Sequence, residues 1–359
     1  MSHLTEREKQ ILAYLKKDPM ISQDELAAKM QISRSAAAVH ISNLMRKGYI
    51  LGRGYIFNER SGVLVIGKTW IEIRGEITGE APAGKVVMEY GGFGYLLAQE
   101  LARFRVEPTL LTFLGRDEIG DQIYNNLLQK GVKVQHIIRN PAFSSGKRIV
   151  VKRGEELLLE VEEMDIARSL TQKVLSTKEE LLRTTKVLLI DGTLPFQEIE
   201  YLITKIKQYN IAASIVGCSL NWLQKKELLS CPQLFLVCRH QEIQELEGVP
   251  LGTEPEAFFP SCRRIINQGL QALIVILEEQ GLLLVTKKET MYFPVLPLHT
   301  SGSPLSITAG IAGGLAAGYE IRLAVRRAMG IQDSQQPGRS RSQKERTPGS
   351  LEFDESSLK

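Results

Sequence analysis

The stretch that most limits how this chain can fold runs from Leu298 to Gly318, LHTSGSPLSITAGIAGGLAAG. Ser301, Gly302 and Ser303 make a polar loop that can bend sharply. From Ser306 to Ala317, Ala and Gly alternate with Ile and Leu. This pattern predicts a helix packed tightly against its neighbours, which needs a layered domain around a sizeable core. A glycine-bearing loop that opens a helix is also a candidate anion site, because the first N–H groups have no partner inside the helix.

The rest of the body supplies the layers. Val187–Ile190, Ala212–Val216, Leu234–Val237 and Ala272–Leu277 read as strands with helices between them. That alternation predicts a mostly parallel sheet covered on both faces. Val63 to Gly67 reads as a buried opening strand. Extended segments follow at Gly84–Tyr90 and at Lys147–Val151 and Leu157–Val161, the last two flanking the turn Arg153-Gly154.

Several motifs in this body resemble the PfkB, or ribokinase-like, family of sugar and nucleoside kinases. Gly91-Gly92, Ala98 and Leu101-Ala102 resemble its first signature, with Leu96 where the family has a substrate-binding Asn. Gly115-x-Asp117-x-x-Gly120 and Leu127-x-x-x-Gly131-Val132 also fit. Gly302, Thr308, Ala309 and Gly310 resemble the second signature, but His299 stands in place of its first Asp, Pro304 replaces a phosphate-binding Gly and Leu305 replaces the catalytic Asp. Pro304 has no N–H and Leu305 cannot accept a proton. Arg239-His-Gln-Glu242 retains only the Glu of the metal-organising Asn-x-x-Glu, so Glu242 is the one residue left for Mg²⁺. Met164 to Thr171 resembles the nucleoside-kinase branch, which includes pseudouridine kinases. The resemblance implies a doubly wound α/β fold over residues 62–330, with a small β lid. Glu72 stands in the place of a sugar-binding Asp. It implies residual ligand contacts at Glu72, Gly91, Gly92, Gly302 and Ser303, and no catalytic residue. ATP and Mg²⁺ follow only for an active kinase.

The first 58 residues read differently. Thr5-x-x-Glu8 and Ser22-x-x-Glu25 are capping boxes, each followed by helical apolar spacing. Ser33 caps a third helix, with Ala37, Ile41 and Leu44 on one face. Residues 49–57 predict a hairpin with Gly52-Arg53-Gly54 at its tip. Three capped helices and a hairpin make a winged helix-turn-helix, similar to the small N-terminal modules of bacterial regulators. Ser33, Arg34, Ser35, His40, Asn43, Arg46, Lys47 and Arg53 are the candidate contacts to duplex DNA. Docking to another protein is the alternative use of the same surface.

Charge supports this division. Residues 1–60 hold ten Lys/Arg against six Asp/Glu, a net +4 that equals the net charge of the whole chain. A basic head on a neutral body fits nucleic-acid binding by the head. The four cysteines show no metal spacing and read as reduced thiols. No apolar run approaches a membrane span, and the N-terminus lacks an apolar signal region, so a cytoplasmic protein is expected. Residues 331–359, rich in Ser, Gln, Arg and Glu, read as a disordered tail. The reading is a DNA-binding regulator, expected to be a homodimer, whose degenerate kinase-like domain either senses a small ligand such as a sugar or nucleoside or serves to dimerise. An active kinase with the same head is the alternative.

Overall fold

The computed structural model describes residues 4–18, 21–47, 49–52, 56–57, 62–78, 83–248, 252, 254–294 and 303–330. Arg53, Gly302 and the tail 331–359 lie outside the described residues.

In the head, α1 (Glu6–Lys17), α2 (Gln23–Met30) and α3 (Arg34–Arg46) precede the strand pair β1 (Ile50–Gly52) and β2 (Ile56–Phe57). Both capping boxes form. Thr5 Oγ1 accepts from Glu8 N–H while Glu8 Oε2 accepts from Thr5 N–H, and Ser22 and Glu25 repeat the exchange. Gln31, in the left-handed region at φ 51°, makes the turn between α2 and α3. Ile11, Leu15, Leu26, Ile41, Leu44 and Ile50 close a small core of their own.

The body opens with β3 (Val63–Ile66), β4 (Trp70–Ile77), β5 (Gly84–Gly91) and α4 (Phe93–Arg103). Next come β6 (Thr109–Leu111), β7 (Phe113–Gly115), α5 (Glu118–Gln129), β8 (Ile138–Asn140), β9 (Gly146–Arg153) and β10 (Glu156–Glu163). Then follow α6 (Gln172–Thr177), α7 (Glu179–Arg183), β11 (Val187–Asp191), α8 (Phe196–Tyr209), β12 (Ala212–Val216) and α9 (Leu220–Lys225). The last third holds β13 (Phe235–Arg239), α10 (His240–Glu247), α11 (Phe259–Asn267), β14 (Ala272–Ile276), β15 (Leu282–Thr286), β16 (Thr290–Phe293), α12 (Pro304–Ala316) and α13 (Ile321–Ala328).

Strands β12-β11-β3-β6 are hydrogen-bonded in that order and all parallel. Parallel bridging of Ala213 to Leu234 joins them to β13-β14-β15-β16. The expected mostly parallel layer is present, but β15 and β16 run antiparallel at its far edge. Strands buried on both faces, such as Val187–Asp191 and Ala272–Ile276, explain the continuous apolar runs.

β3 sits between β11 and β6, so connections leave it toward opposite sides. The crevice outside such a switch point is where open α/β sheets bind ligands. Over it stands a second sheet, in the order β10-β9-β4-β5. This sheet is the lid expected from the segments at 84–90 and 147–161.

The helix α12 behaves as its small residues predict. Ser306 to Ala312 and Gly314 are buried. A Cβ on Gly310 would lie 2.8 Å from Ala328 Cβ, and one on Gly314 would lie 2.8 Å from Ala324 Cβ. The glycines therefore let α12 and α13 approach backbone to backbone.

Candidate functional site

The lid's two faces differ in chemistry. Register places Glu72 opposite Glu89 and Arg148, and Arg74 opposite Val87 and Val150. Directly opposed residues share a face, so this face is mainly charged. The other face aligns Ile73 with Met88 and Ile149, Ile149 with Val161, and Val151 with Leu159. Val86 (73% exposed), Met88 (61%), Leu159 (49%) and Val161 (52%) stay open to solvent there.

A cavity of about 250 Å³ lies between the charged face and the start of α4. Glu72, Arg74, Glu89 and Arg148 line one side, and Gly91, Gly92, Phe93 and Leu96 the other. Glu72, Gly91 and Gly92 thus line one cavity. Gly92 caps α4 at φ 94°, and a Cβ there would fall 2.2 Å from the Lys68 carbonyl oxygen. Only glycine lets the helix start this close to the backbone leaving β3. Glu72 is not idle. Arg74 Nη2 lies 2.6 Å from Glu72 Oε1, and Arg148 Nη1 lies 3.6 Å from Oε2. Arg148 also reaches Glu160 Oε1 at 2.6 Å. Trp70 lines the cavity too, and its buried Nε1–H has no acceptor among the described residues. Leu96 contributes only apolar surface.

Ser303 does not line this cavity; it caps the start of α12. Its Oγ accepts from Ser306 N–H, and its carbonyl accepts from Ile307 N–H. Pro304 holds the first helical position. Leu305 is half-buried and packs against the core beneath.

At the carboxyl edge of the sheet, Asp191 is fully buried. It accepts from Lys68 N–H, Thr193 N–H and Thr193 Oγ1. Glu242 accepts from Arg239 N–H, and burial pushes its carboxyl above the ordinary value. Burial, with the charges of Glu242 and Asp191, raises the Cys218 thiol to about 12. Among the described residues no three His, Cys, Asp or Glu side chains gather to hold a metal.

Asp117 accepts from Gly120 N–H, Ser145 N–H and Ser145 Oγ, while Ser145 Oγ accepts from Gly115 N–H. The Gly-x-Asp-x-x-Gly motif therefore fastens β7 to the start of β9.

In the head, α3 buries Ala37, Ile41 and Leu44. Exposed positions Ser35, Val39, Ser42 and Arg46 follow one another at i, i+4, i+7 and i+11, forming a single outer stripe. Asn43 flanks that stripe, and its Oδ1 accepts from Arg46 Nη2 at 2.7 Å. Ser33 Oγ caps α3 at Ala36 N–H, and Ser35 Oγ lies 3.0 Å from it. Arg34 is exposed beside Asp24, with Nε 3.5 Å from Oδ1. Two candidates sit away from the stripe. His40 turns toward the inner side, with a buried Nδ1. Lys47 is drawn back to Glu8, which accepts two hydrogen bonds of 2.8 Å from its ammonium. Val39 and Ser42 were missed by residue type, although the spacing from Ser35 marks both.

No helix among the described residues is long and apolar enough to cross a membrane. Residues 4–50 match the family described as winged helix-turn-helix DNA-binding. The uncharacterised sugar kinase YeiI of Escherichia coli (strain K12) is 28% identical over 341 residues, covering 91% of this chain and 92% of that protein. Deoxyribokinase of Salmonella typhi is 23% identical over 239 residues, covering 62% and 73% of the two chains. The ribokinase of Arabidopsis thaliana, solved with ribose and ATP, superposes with a TM-score of 0.63 at 18% identity, over 75% of this chain and 90% of that one. Residues 60–331 match the description pfkB family carbohydrate kinase, and the chain belongs to that family, with a winged helix-turn-helix unit ahead of it.

Proposed function

We propose that this protein is a DNA-binding regulator whose kinase-like domain binds a small ligand without phosphorylating it. Leu305 carries this reading. A positioned general base is worth roughly 10²–10⁴-fold in rate, and at that position the chain has a side chain packed on the core. The start of α12 does not fit a transferring phosphate. Pro304 has no N–H, and the N–H groups of Ser306 and Ile307 are taken by Ser303. The donors that would stabilise phosphoryl charge are thus largely used up within the protein.

The lid cavity, by contrast, is formed, and its polar groups suit a small hydroxyl-bearing ligand such as a sugar or nucleoside. Its volume is just under the roughly 300–1,000 Å³ of common ligand sites. The lid's apolar outer face fits a second copy of the chain, which would give the two heads a paired arrangement on DNA. In the head, Arg34 and Arg46 are the exposed cations of α3, suited to phosphate. Ser35 and Asn43 are suited to base edges. The active-kinase reading, needing ATP and Mg²⁺, draws on the 28% identity to a protein described as a sugar kinase.

Fluorescence anisotropy of the full chain with duplexes from its own genomic neighbourhood tests the DNA reading. Binding should fall steeply with salt. Arg34→Ala with Arg46→Ala should weaken all sequences alike and flatten the salt slope by about two. Absence of binding at low salt, or binding indifferent to both changes, would end the regulator hypothesis.

A further inference from the structure

We propose that Val39 is a specificity-determining residue of the head, reading the 5-methyl group of a thymine in the major groove. This inference rests on the DNA-binding reading above. Val39 is 59% exposed at the middle of the outer stripe of α3, between Ser35 and Ser42, with Arg46 at the end of the row. The stripe covers eleven residue steps, about 16 Å of helix at 1.5 Å per residue. That matches roughly five base pairs of a duplex groove.

Folding gives no reason for a valine here. The core of the head is closed by Ile41, Leu44 and their partners on the opposite side. A β-branched residue in an exposed helix interior is a poorer helix former than alanine by a few tenths of a kcal/mol or more. The neighbouring Ala36, Ala37 and Ala38 are better helix formers at adjacent positions. α3 also contains no acidic residue of its own to repel a phosphate backbone.

The stripe presents a hydroxyl, an apolar branch and a hydroxyl in succession. Seryl groups can donate to or accept from any base edge, and so discriminate poorly. The major groove offers one apolar group, the thymine methyl, and an exposed apolar side chain is its complement. Val39 therefore supplies the discrimination that its two flanking serines lack.

The test uses the full chain and a duplex selected from a random pool. Deoxyuridine then replaces thymine at each position in turn, removing only the 5-methyl group. One or two replacements should weaken wild-type binding roughly four-fold, the worth of one buried methyl-sized group. Val39→Ala should bind the thymine and deoxyuridine duplexes equally, and should melt no lower than wild type. Arg46→Ala should weaken both duplexes alike while keeping the wild-type preference. A wild-type protein that binds the selected duplex but ignores every replacement would overturn the role of Val39. So would a Val39→Ala protein that keeps the wild-type preference. Failure to bind any duplex would remove the DNA reading itself, and this inference with it.

Discussion

The Lys47 ammonium lies 2.8 Å from both carboxylate oxygens of Glu8, a residue 39 positions earlier that also completes the first capping box. One buried carboxylate thus holds the start of α1 and clamps the end of α3 against it. Burial pushes the Glu8 carboxyl up. Hydrogen bonds from Lys47 and Thr5, with the charge of Lys47, outweigh that and hold it below the ordinary value of 4.5.

A carboxyl depressed in the folded state contributes its full stability above the unfolded value, and loses it as pH falls through the folded one. The head should therefore loosen as pH drops below about 4.5. Lys47→Met should cost the head about 2 kcal/mol at neutral pH and blunt this acid response. Hydrogen exchange of peptides within residues 4–50, measured in the full chain, checks both points. Unchanged protection in Lys47→Met would mean that the pair adds nothing.

No ATP-dependent phosphorylation of ribose, fructose, uridine or pseudouridine is expected. Leu305→Asp alone should not bring turnover to the ~1–100 s⁻¹ of working kinases, because Pro304, Leu96 and Arg239 remain and such parts act together. An ADP-release assay decides the matter. Wild-type turnover in that range would refute the non-catalytic reading.

Light scattering at micromolar concentration should give twice the chain mass. Met88→Lys with Val161→Lys places two charges on the open apolar face of the lid, whose exposures are 61% and 52% at these sites. The double variant should run as a single chain with its fold intact by circular dichroism. A wild-type monomer would exclude pairing through this sheet.

Gly314→Val should lower the melting temperature of the body by several degrees. Even a bare Cβ would sit 2.8 Å from Ala324 Cβ and 2.9 Å from its Cα, so the two helices must part. Overpacking of this kind costs about 1–3 kcal/mol, with each kcal/mol worth roughly 2–4 °C in a domain of this size. A melting curve matching wild type would show that α13 can slide aside freely.

Local signals in the sequence reached their structures directly. Thr5 with Glu8, Ser22 with Glu25, and Ser33 each describe a bond within one helical turn, and spacing alone reveals such bonds. The small residues of α12 likewise announced its close packing, which Gly310 and Gly314 allow against α13. Partners from afar stayed hidden. Nothing near Glu72 in sequence foretells Arg148, which β9 brings beside β4. Lys47 looked like a free cation because Glu8 belongs to another helix. His40 is a candidate DNA contact by residue type, whereas counting from Ala37 and Ile41 places it toward the inside. The antiparallel run of β15 was equally illegible, since Leu282 to Val285 are buried throughout and carry no alternation to report it.

β2 ends at Phe57 and β3 begins at Val63, so five residues, 58–62, join the head to β3, the opening strand of the sheet. At about 3.5 Å per residue, that tether reaches no further than roughly 20 Å even when fully stretched. Successive turns of a duplex lie about 34 Å apart. In any assembly of two copies there is accordingly little slack to absorb a rotation of one body against the other. The short leash would hand that rotation on to the heads as a change in the distance between the grooves they can span at once.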